Sequence, residues 1–496
     1  MLFKFRPWNT ARASESSLST TAILPLDNFV KASSSSSTIT ASTDYCQQYD
    51  GVLWISQGDR NGAAGTIFFL FLLNQLLYAE KYNLQPWIHL TNESKHVYDD
   101  QIHSGRDVEH ELGPELEIQW KEYQDGLALP DKKYVYPGRP IFPADPNYVP
   151  TTSPKTTKIK VMGTGVWNSY FESIIQLKLG SNNRTYNVDI TKPCPRKPFV
   201  HFQSNEALVQ GLHLNCPYCV RSWRYGGMPP TLAGYAHDPQ VSYQTWWYPM
   251  RKIGHQVVSK YYHPLPYLWD RVQQTVPKQQ IGSSGGGGGV SNNVQQPQQC
   301  LAMHIRHSDK ANKRDKIPLA AFLPYCQAYV DTMTAQNNQH FYIYLATDSS
   351  RIVDKIQTTW PAEILKFVQW QDNIIRSSNT TAVFDAVLQQ EPQLEAATAG
   401  RHHRTNQEVL VDILAMSHCQ YLLHGLSAVS EATIYVAGPS LYSGEHAMNL
   451  EFHQFYQRKR QKQKNRGKEE EEVKYGSAGD EPMPVQVFRD RLLSKQ

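Results

Sequence analysis

Apolar positions in this chain gather into short buried runs that alternate with longer amphipathic ones. "GVLWIS" (51–56) reads as a short buried strand, "QGDRNGAAG" as the loop after it, 66–82 as an apolar helix and "QPWIHL" (85–90) as the next strand. Strand, loop, helix and strand in that order begin an α/β layer. Residues 100–155 are dominated by loop signals, and "KIKVMGTG" (158–165) reads as a further strand. Residues 194–280 are dense in Pro, Trp and Tyr and show no clean period.

From residue 300 the alternation is regular. "CLAMHI" reads as a strand, and "PLAAFLPYCQAYVDTM" as a helix with Pro324 marking a kink or a late start. "FYIYLAT" (341–347) is a strand, about 349–358 a helix and "ILKFVQW" another strand. "TNQEVLVDILAMSHC" reads as an amphipathic helix whose Thr405 and Glu408 form a capping box. "QYLLHG" is a strand, and "SAVSEATIYVAG" a helix that ends at a glycine. This order predicts an α/β chain with a doubly wound, Rossmann-like C-terminal half.

Composition shifts divide the chain. A Ser/Thr-rich tail or stalk is expected at 1–44 and an N-terminal α/β domain at 45–280. A Gly/Gln-rich linker or loop follows at 281–299, then a Rossmann-like domain at 300–456 and a charged tail at 457–496. The most apolar run, "TIFFLFLLNQLLYA" (66–79), is shorter than the ~20 residues a spanning helix needs and contains Asn74 and Gln75. It is read as a core helix, so no membrane span is expected. The N-terminal segment lacks the apolar stretch of a signal peptide, although its Arg and Ser content has transit-peptide character.

Composition narrows the function classes only a little. With 40% hydrophobic residues, 11% aromatics, 11 Trp and 28 Tyr in 496 residues, the chain can fill sizeable cores and has rings to stack on sugars. A net charge of +4 is too small to argue for a nucleic-acid partner. The seven cysteines, an odd number, leave the compartment open. Sequons at Asn92, Asn183 and Asn379 lend slight support to a secretory lumen. "CPYC" (216–219) can be read as a structural disulfide or free thiols, a redox dithiol, or half of a zinc site. No apolar strand feeds into Cys216 and no further zinc ligands stand at suitable spacing, which favours the first.

The chemistry concentrates at strand ends. Ligands of open α/β sheets bind beyond the carboxyl ends of the strands. Three ends in the second half carry polar groups: His304 to Lys310, Thr347-Asp348, and His424 to Ser427. Arg306 suits a diphosphate because its guanidinium forms two parallel charge-assisted bonds, and otherwise would pair with Asp309 or Asp348. Ser427 opens a helix, where hydroxyl and free N–H groups suit a phosphate oxygen or make a plain N-cap. Asp412, inside "VLVDILAM", wants a donor pair: the edge of a guanine, or an ion pair within the chain. In the first half Gly62, Ala63 and Gly65 let a phosphate or sugar approach the backbone of a turn that opens a helix.

"MHIRHSDK" resembles the H-[VI]-R-R-x-D-K motif of the α1,6-fucosyltransferase family. "YIYLATDSS" is similar to that family's strand ending in A-T-D, and "LVDILAMSHCQYLLHGLSAVSEATIYV" to its segment ending in a serine pair. "GAAGTIFFLFLLNQLLYAEKY" resembles a glycine-rich loop and helix shared with protein O-fucosyltransferases. The three C-terminal blocks stand in the family's order and spacing.

The resemblance implies a GT-B fold of two Rossmann-like domains facing a cleft, the C-terminal one holding the nucleotide sugar and the N-terminal one the acceptor. It implies inverting transfer of L-fucose from GDP-fucose to a glycan or glycoprotein, with no metal or other cofactor, in a Golgi or endoplasmic reticulum lumen. Carried over by position, Arg306 would hold the β-phosphate, His304 and Asp412 the guanine and Ser427 a phosphate oxygen, with His307, Asp309 and Asp348 beside them. His307 replaces the motif's second arginine, Ala428 the second serine, and the base of core-fucosylating members falls near Arg314. Asp59 is therefore the first candidate base and Asp309 the second. "GVWNSYFE" (165–172), with Trp167 and Asn168, is an acceptor-side candidate. The alternatives are a catalytically inactive glycan- or nucleotide-binding relative and a thiol oxidoreductase acting through Cys216 and Cys219.

Overall fold

A computed structural model describes residues 43–56, 72–90, 107–115, 119–122, 137–141, 156–162, 165–201, 248–276, 299–307, 317–338, 340–372, 374, 376–377, 398–425, 427–442, 446–450 and 483–494. Strand β1 (Gly51–Ile55), helix α1 (Leu72–Lys81) and strand β2 (Leu84–Ile88) form the expected unit, and the two strands pair in parallel. β3 (Asp107–Leu112) pairs antiparallel with β6 (Thr157–Met162), β4 (Gln119–Glu122) with β5 (Pro137–Ile141), and β7 (Ile174–Leu179) with β8 (Arg184–Asp189). β9 (Phe199–His201) then joins β1 in parallel, giving the order β2-β1-β9.

Two helices follow where the sequence shows no clean period: α2 (Tyr248–Tyr261) and α3 (Pro266–Thr275). The irregularity has a physical source, because α2 buries Arg251 completely and packs Gly254 against the ring of Tyr435. An amphipathic template expects large apolar side chains at such positions.

The C-terminal half comprises β10 (Gln299–Ile305), α4 (Leu323–Ala335), β11 (Phe341–Thr347), α5 (Ser350–Thr359), β12 (Val368–Gln369), α6 (Thr398–Ser417), β13 (Tyr421–His424), α7 (Ala428–Ala437), β14 (Ala447–Asn449) and α8 (Val485–Ser494). Its strands form one parallel sheet in the order β12-β11-β10-β13-β14. Alternate residues face opposite layers. Cys300 and Ala302 of β10, with Tyr342, Tyr344 and Ala346 of β11, pack with α6 and α7 residues such as Leu410 and Ile434. Leu301, Met303 and Ile305, with Ile343 and Leu345, pack with α4, α5 and α8 residues such as Tyr329, Ile356 and Phe488. Burial on both faces explains the nearly unbroken apolar runs. The first of these cores runs on without interruption into β1, β2, α2 and α3.

Several local expectations change. "ILKFVQW" is not one strand but a helical turn at Ala362–Leu365 and the two-residue β12, an edge strand with only β11 beside it. α6 begins at Thr398, so Thr405 lies inside the helix and Glu408 pairs with Arg404 at 2.9 Å instead of closing a capping box. Pro324 marks a late start, lying in the first turn of α4. Within the charged C-terminal stretch, α8 docks on the second core through Phe488 and Leu492, and Arg489 meets Asp331 at 3.1 Å.

Two disulfides join residues the sequence did not pair: Cys46 to Cys194 and Cys300 to Cys419. They close loops with separations of 148 and 119 residues. Restricting an unfolded chain over such lengths is worth about 5 kcal/mol each in the chain-entropy model. Cys326 is a buried free thiol whose burial pushes its pKa well up, so it is inert. Peptide mapping without reductant is expected to recover the two linked pairs, with Cys326 alkylated only after unfolding. Replacing Cys300 and Cys419 together by Ser is expected to lower the melting temperature by several degrees.

Candidate functional site

In the sheet order β12-β11-β10-β13-β14, the order of strand addition reverses at β10, with β11 on one side and β13 on the other, and the parallel β10 and β13 end side by side with His304 opposite His424. A doubly wound sheet opens a crevice at this switch point. Arg306 is the first residue past β10 and Asp348 the first past β11, adjacent strands in register. Parallel pairing therefore brings together two groups 42 positions apart, and Arg306 Nε lies 3.7 Å from Asp348 Oδ2. The other Asp348 oxygen accepts a 2.9 Å hydrogen bond from the backbone N–H of His307. Asp348 thus braces Arg306, the alternative pairing the sequence left open for that arginine, while the guanidinium stays about one-third exposed.

His307 directs one ring nitrogen back to the chain, with Nε2–H donating to the Ile317 carbonyl at 2.9 Å. That bond ties the strand end to a residue 10 positions further along the chain. His304 is buried, and its Nδ1 lies 2.7 Å from Ser430 Oγ. Ser430 gives its single proton to the Gly425 carbonyl at 3.2 Å, so its oxygen accepts from His304 Nδ1–H. The imidazole is thereby anchored to the first turn of α7.

Ser427 is the N-cap of α7, its Oγ accepting from the Val429 N–H at 3.3 Å. This is the plain cap read from the sequence, yet the hydroxyl proton has no acceptor among the described residues. The first turn of a helix also leaves backbone N–H groups without intrahelical partners. Glu431 in that turn forms a bidentate pair with the fully buried Arg251 of α2, Nε to Oε2 at 3.1 Å. The pair fixes the start of α7 against α2.

Asp412 lies on α6, and one oxygen, Oδ1, accepts from both Tyr344 Oη (2.7 Å) and Gln371 Nε2 (2.6 Å). Oδ2 has no donor among the described residues. Burial raises the Asp412 pKa to about 6, opposed by these two bonds and by the charges of Arg376 and Arg271. The surroundings are chiefly hydrogen bonds and distant cations, so the close intrachain ion pair considered for this residue is absent among the described residues. Sequence reasoning missed Tyr344 and Gln371. Tyr344 was within reach, because it shares a strand face with Tyr342 and Ala346 and so points toward α6. Gln371, past the short edge strand, left no signal.

Asp59, Gly62, Ala63, Gly65 and Asp309 lie outside the described residues, as do Cys216 and Cys219. The acceptor-side expectation for Trp167 fails. Its ring is fully buried against Phe171 and Tyr262, and its N–H is spent on the Glu172 carbonyl, so it is a core residue. Among the described residues no cluster of His, Cys, Asp or Glu could hold a metal ion, and no helix is long and apolar enough to cross a membrane.

No family model matches the chain, and no curated protein matches it. Among solved structures, one match is the crystal structure of NodZ alpha-1,6-fucosyltransferase soaked with GDP-fucose. It is 9% identical, covers 78% of this chain and 92% of its own, and superposes with a TM-score of 0.31. A likeness at that score leaves the chemistry to be argued from this chain's own residues.

The Asp412 carboxyl has a folded pKa of about 6 against an ordinary value of 3.8, so its burial penalty is absent below about pH 4, grows as pH rises and is complete above about pH 6. Asp412→Asn keeps an oxygen for Tyr344 and Gln371 without the charge. It is expected to raise the melting temperature at pH 7.5, with the gain shrinking as pH falls below about 6 and vanishing below about pH 4 in a thermal melt series.

Proposed function

We propose that the protein is an inverting glycosyltransferase that moves L-fucose from GDP-fucose to a hydroxyl of a glycan or glycoprotein. The observation that carries this reading is the partly exposed Arg306, held by Asp348 at the switch point of a parallel sheet whose neighbouring strand leads into the start of α7. The three sequence blocks that resemble the α1,6-fucosyltransferase family supply the groups of this one edge.

In this reading the diphosphate lies between Arg306 and the first turn of α7. As the sugar–phosphate bond breaks, negative charge grows on the leaving oxygen. The guanidinium and the helix N–H groups compensate it with dipoles and charge already in place. The reaction then requires no metal. Oδ2 of Asp412 is the acceptor offered to the two-donor edge of guanine, and Oδ1 is held by Tyr344 and Gln371 so that the carboxylate keeps its orientation. Asp348 orients Arg306 and need not touch the ligand.

The two disulfides support an oxidising compartment such as the Golgi or endoplasmic reticulum lumen. The Asn183 sequon is exposed at the turn between β7 and β8, where a glycan could be attached.

GDP is expected to raise the melting temperature without added metal, and Arg306→Ala to abolish both that shift and fucose transfer on a glycan array. A shift with another nucleotide and none with GDP would overturn the reading. A GDP shift without transfer to any acceptor would identify an inactive relative.

A further inference from the structure

The carboxyl edge of the first sheet, β2-β1-β9, holds a group of side chains the donor site does not use. Trp54 of β1 stands in register with Trp87 of β2 and with His201 of β9, so the three rings share one face. They stack in a row, with Trp54 5.3 Å from Trp87 and 4.2 Å from His201, at interplanar angles of 20° and 24°. Ser56 stands two residues beyond Trp54 on that face, one step nearer the carboxyl edge. Its Oγ is hydrogen-bonded to His201 Nε2. The other ring nitrogen, Nδ1, has no partner among the described residues, and neither has the indole N–H of Trp54.

The row defines the state of His201. Burial against Trp54 lowers its pKa to about 4, with no charged group contributing. The ring is therefore neutral across the physiological range. We assign the ring proton to Nε2, donating to Ser56 Oγ, which leaves the lone pair on Nδ1. A neutral imidazole with one nitrogen held and the other available is a proton acceptor in a fixed orientation.

Taking the proposed fucosyl transfer as premise, the geometry points to His201, held by Ser56 and seated on Trp54, as the group that receives the acceptor hydroxyl and takes its proton. The acceptor oxygen bonds to the anomeric carbon while the carbon–oxygen bond to the diphosphate breaks. The diphosphate leaves with that electron pair, and the hydroxyl proton passes to Nδ1. A weak base suffices, because the oxygen becomes strongly acidic only once it has begun to bond to a cationic sugar carbon. Stacked between Trp87 and His201, the Trp54 ring keeps the imidazole plane in place. His201 thus takes the role the sequence assigned first to Asp59.

The test uses the full chain, GDP-fucose and a glycan array. His201→Gly is expected to lower transfer about 100-fold or more while keeping the GDP-induced rise in melting temperature. Added imidazole should restore transfer, which a merely structural role would not allow. Should His201→Gly fail to fold, His201→Gln keeps a side chain on Trp54 and is expected to show the same loss with the GDP shift intact. Transfer by either folded variant within about 3-fold of the parent, or no rescue by imidazole, overturns the assignment while the donor reading stands. A parent chain that shows no GDP shift, or that transfers to nothing on the array, overturns the donor reading and this assignment with it.

Discussion

The parallel pairing of β10 with β11 on one side and β13 on the other is the constraint on which the candidate donor site depends. Parallel strands in register end at one edge, and polar groups past the last buried residue of each must emerge together. Arg306, Asp348 and Ser427 come from three separate stretches of chain and lie at this one edge for this reason. Burial of β10 on both faces removes any other register, since sliding it by one residue would exchange Ala302 with Leu301 and Met303 between layers already packed to fit them.

The second organising feature is the continuity of the first core. Leu410, Ile434 and Tyr435 of the C-terminal helices belong to the same apolar cluster as Val52, Trp87 and Val257. Across it runs the Arg251–Glu431 pair, with the arginine wholly buried. Removing two charges from water is costly, and only a bidentate fork with its hydrogen bonds made offsets that cost. Such a pair tolerates little displacement, so it favours a single seating of α2 on α7. His255 adds a 2.7 Å bond to the Tyr435 carbonyl, and Gly254 lets the Tyr435 ring approach the helix backbone.

Polar groups at the two sheet edges are held differently. At the C-terminal edge charge is met by charge or by several donors: Arg306 by Asp348, and Asp412 by Tyr344 and Gln371. At the N-terminal edge a neutral imidazole lies against an aromatic row with a single hydroxyl beside it. The first arrangement suits a charged phosphate and a polar base, the second an uncharged hydroxyl.

Much of the C-terminal half was legible in the sequence. The apolar runs of β10, β11 and β13, the Ser427 cap and the glycine stop at Gly438 are local patterns set by strand burial and helix ends. Arg306, His304, Asp412 and Ser427 could be named because they follow those patterns directly. The edge strand β12 and the start of α6 were misread because a two-residue ladder and a polar first helical turn leave weak local signals. By itself, then, the sequence determined the α/β alternation and the groups that leave the strand ends. Tertiary structure alone decided that Cys300 joins Cys419, that Gln371 holds Asp412, that Arg251 answers Glu431 and that Ser56 meets His201. Those pairs are separated by 41 to 180 positions, and local propensity carries no information over such distances. They exist only once burial and strand register have brought the segments together.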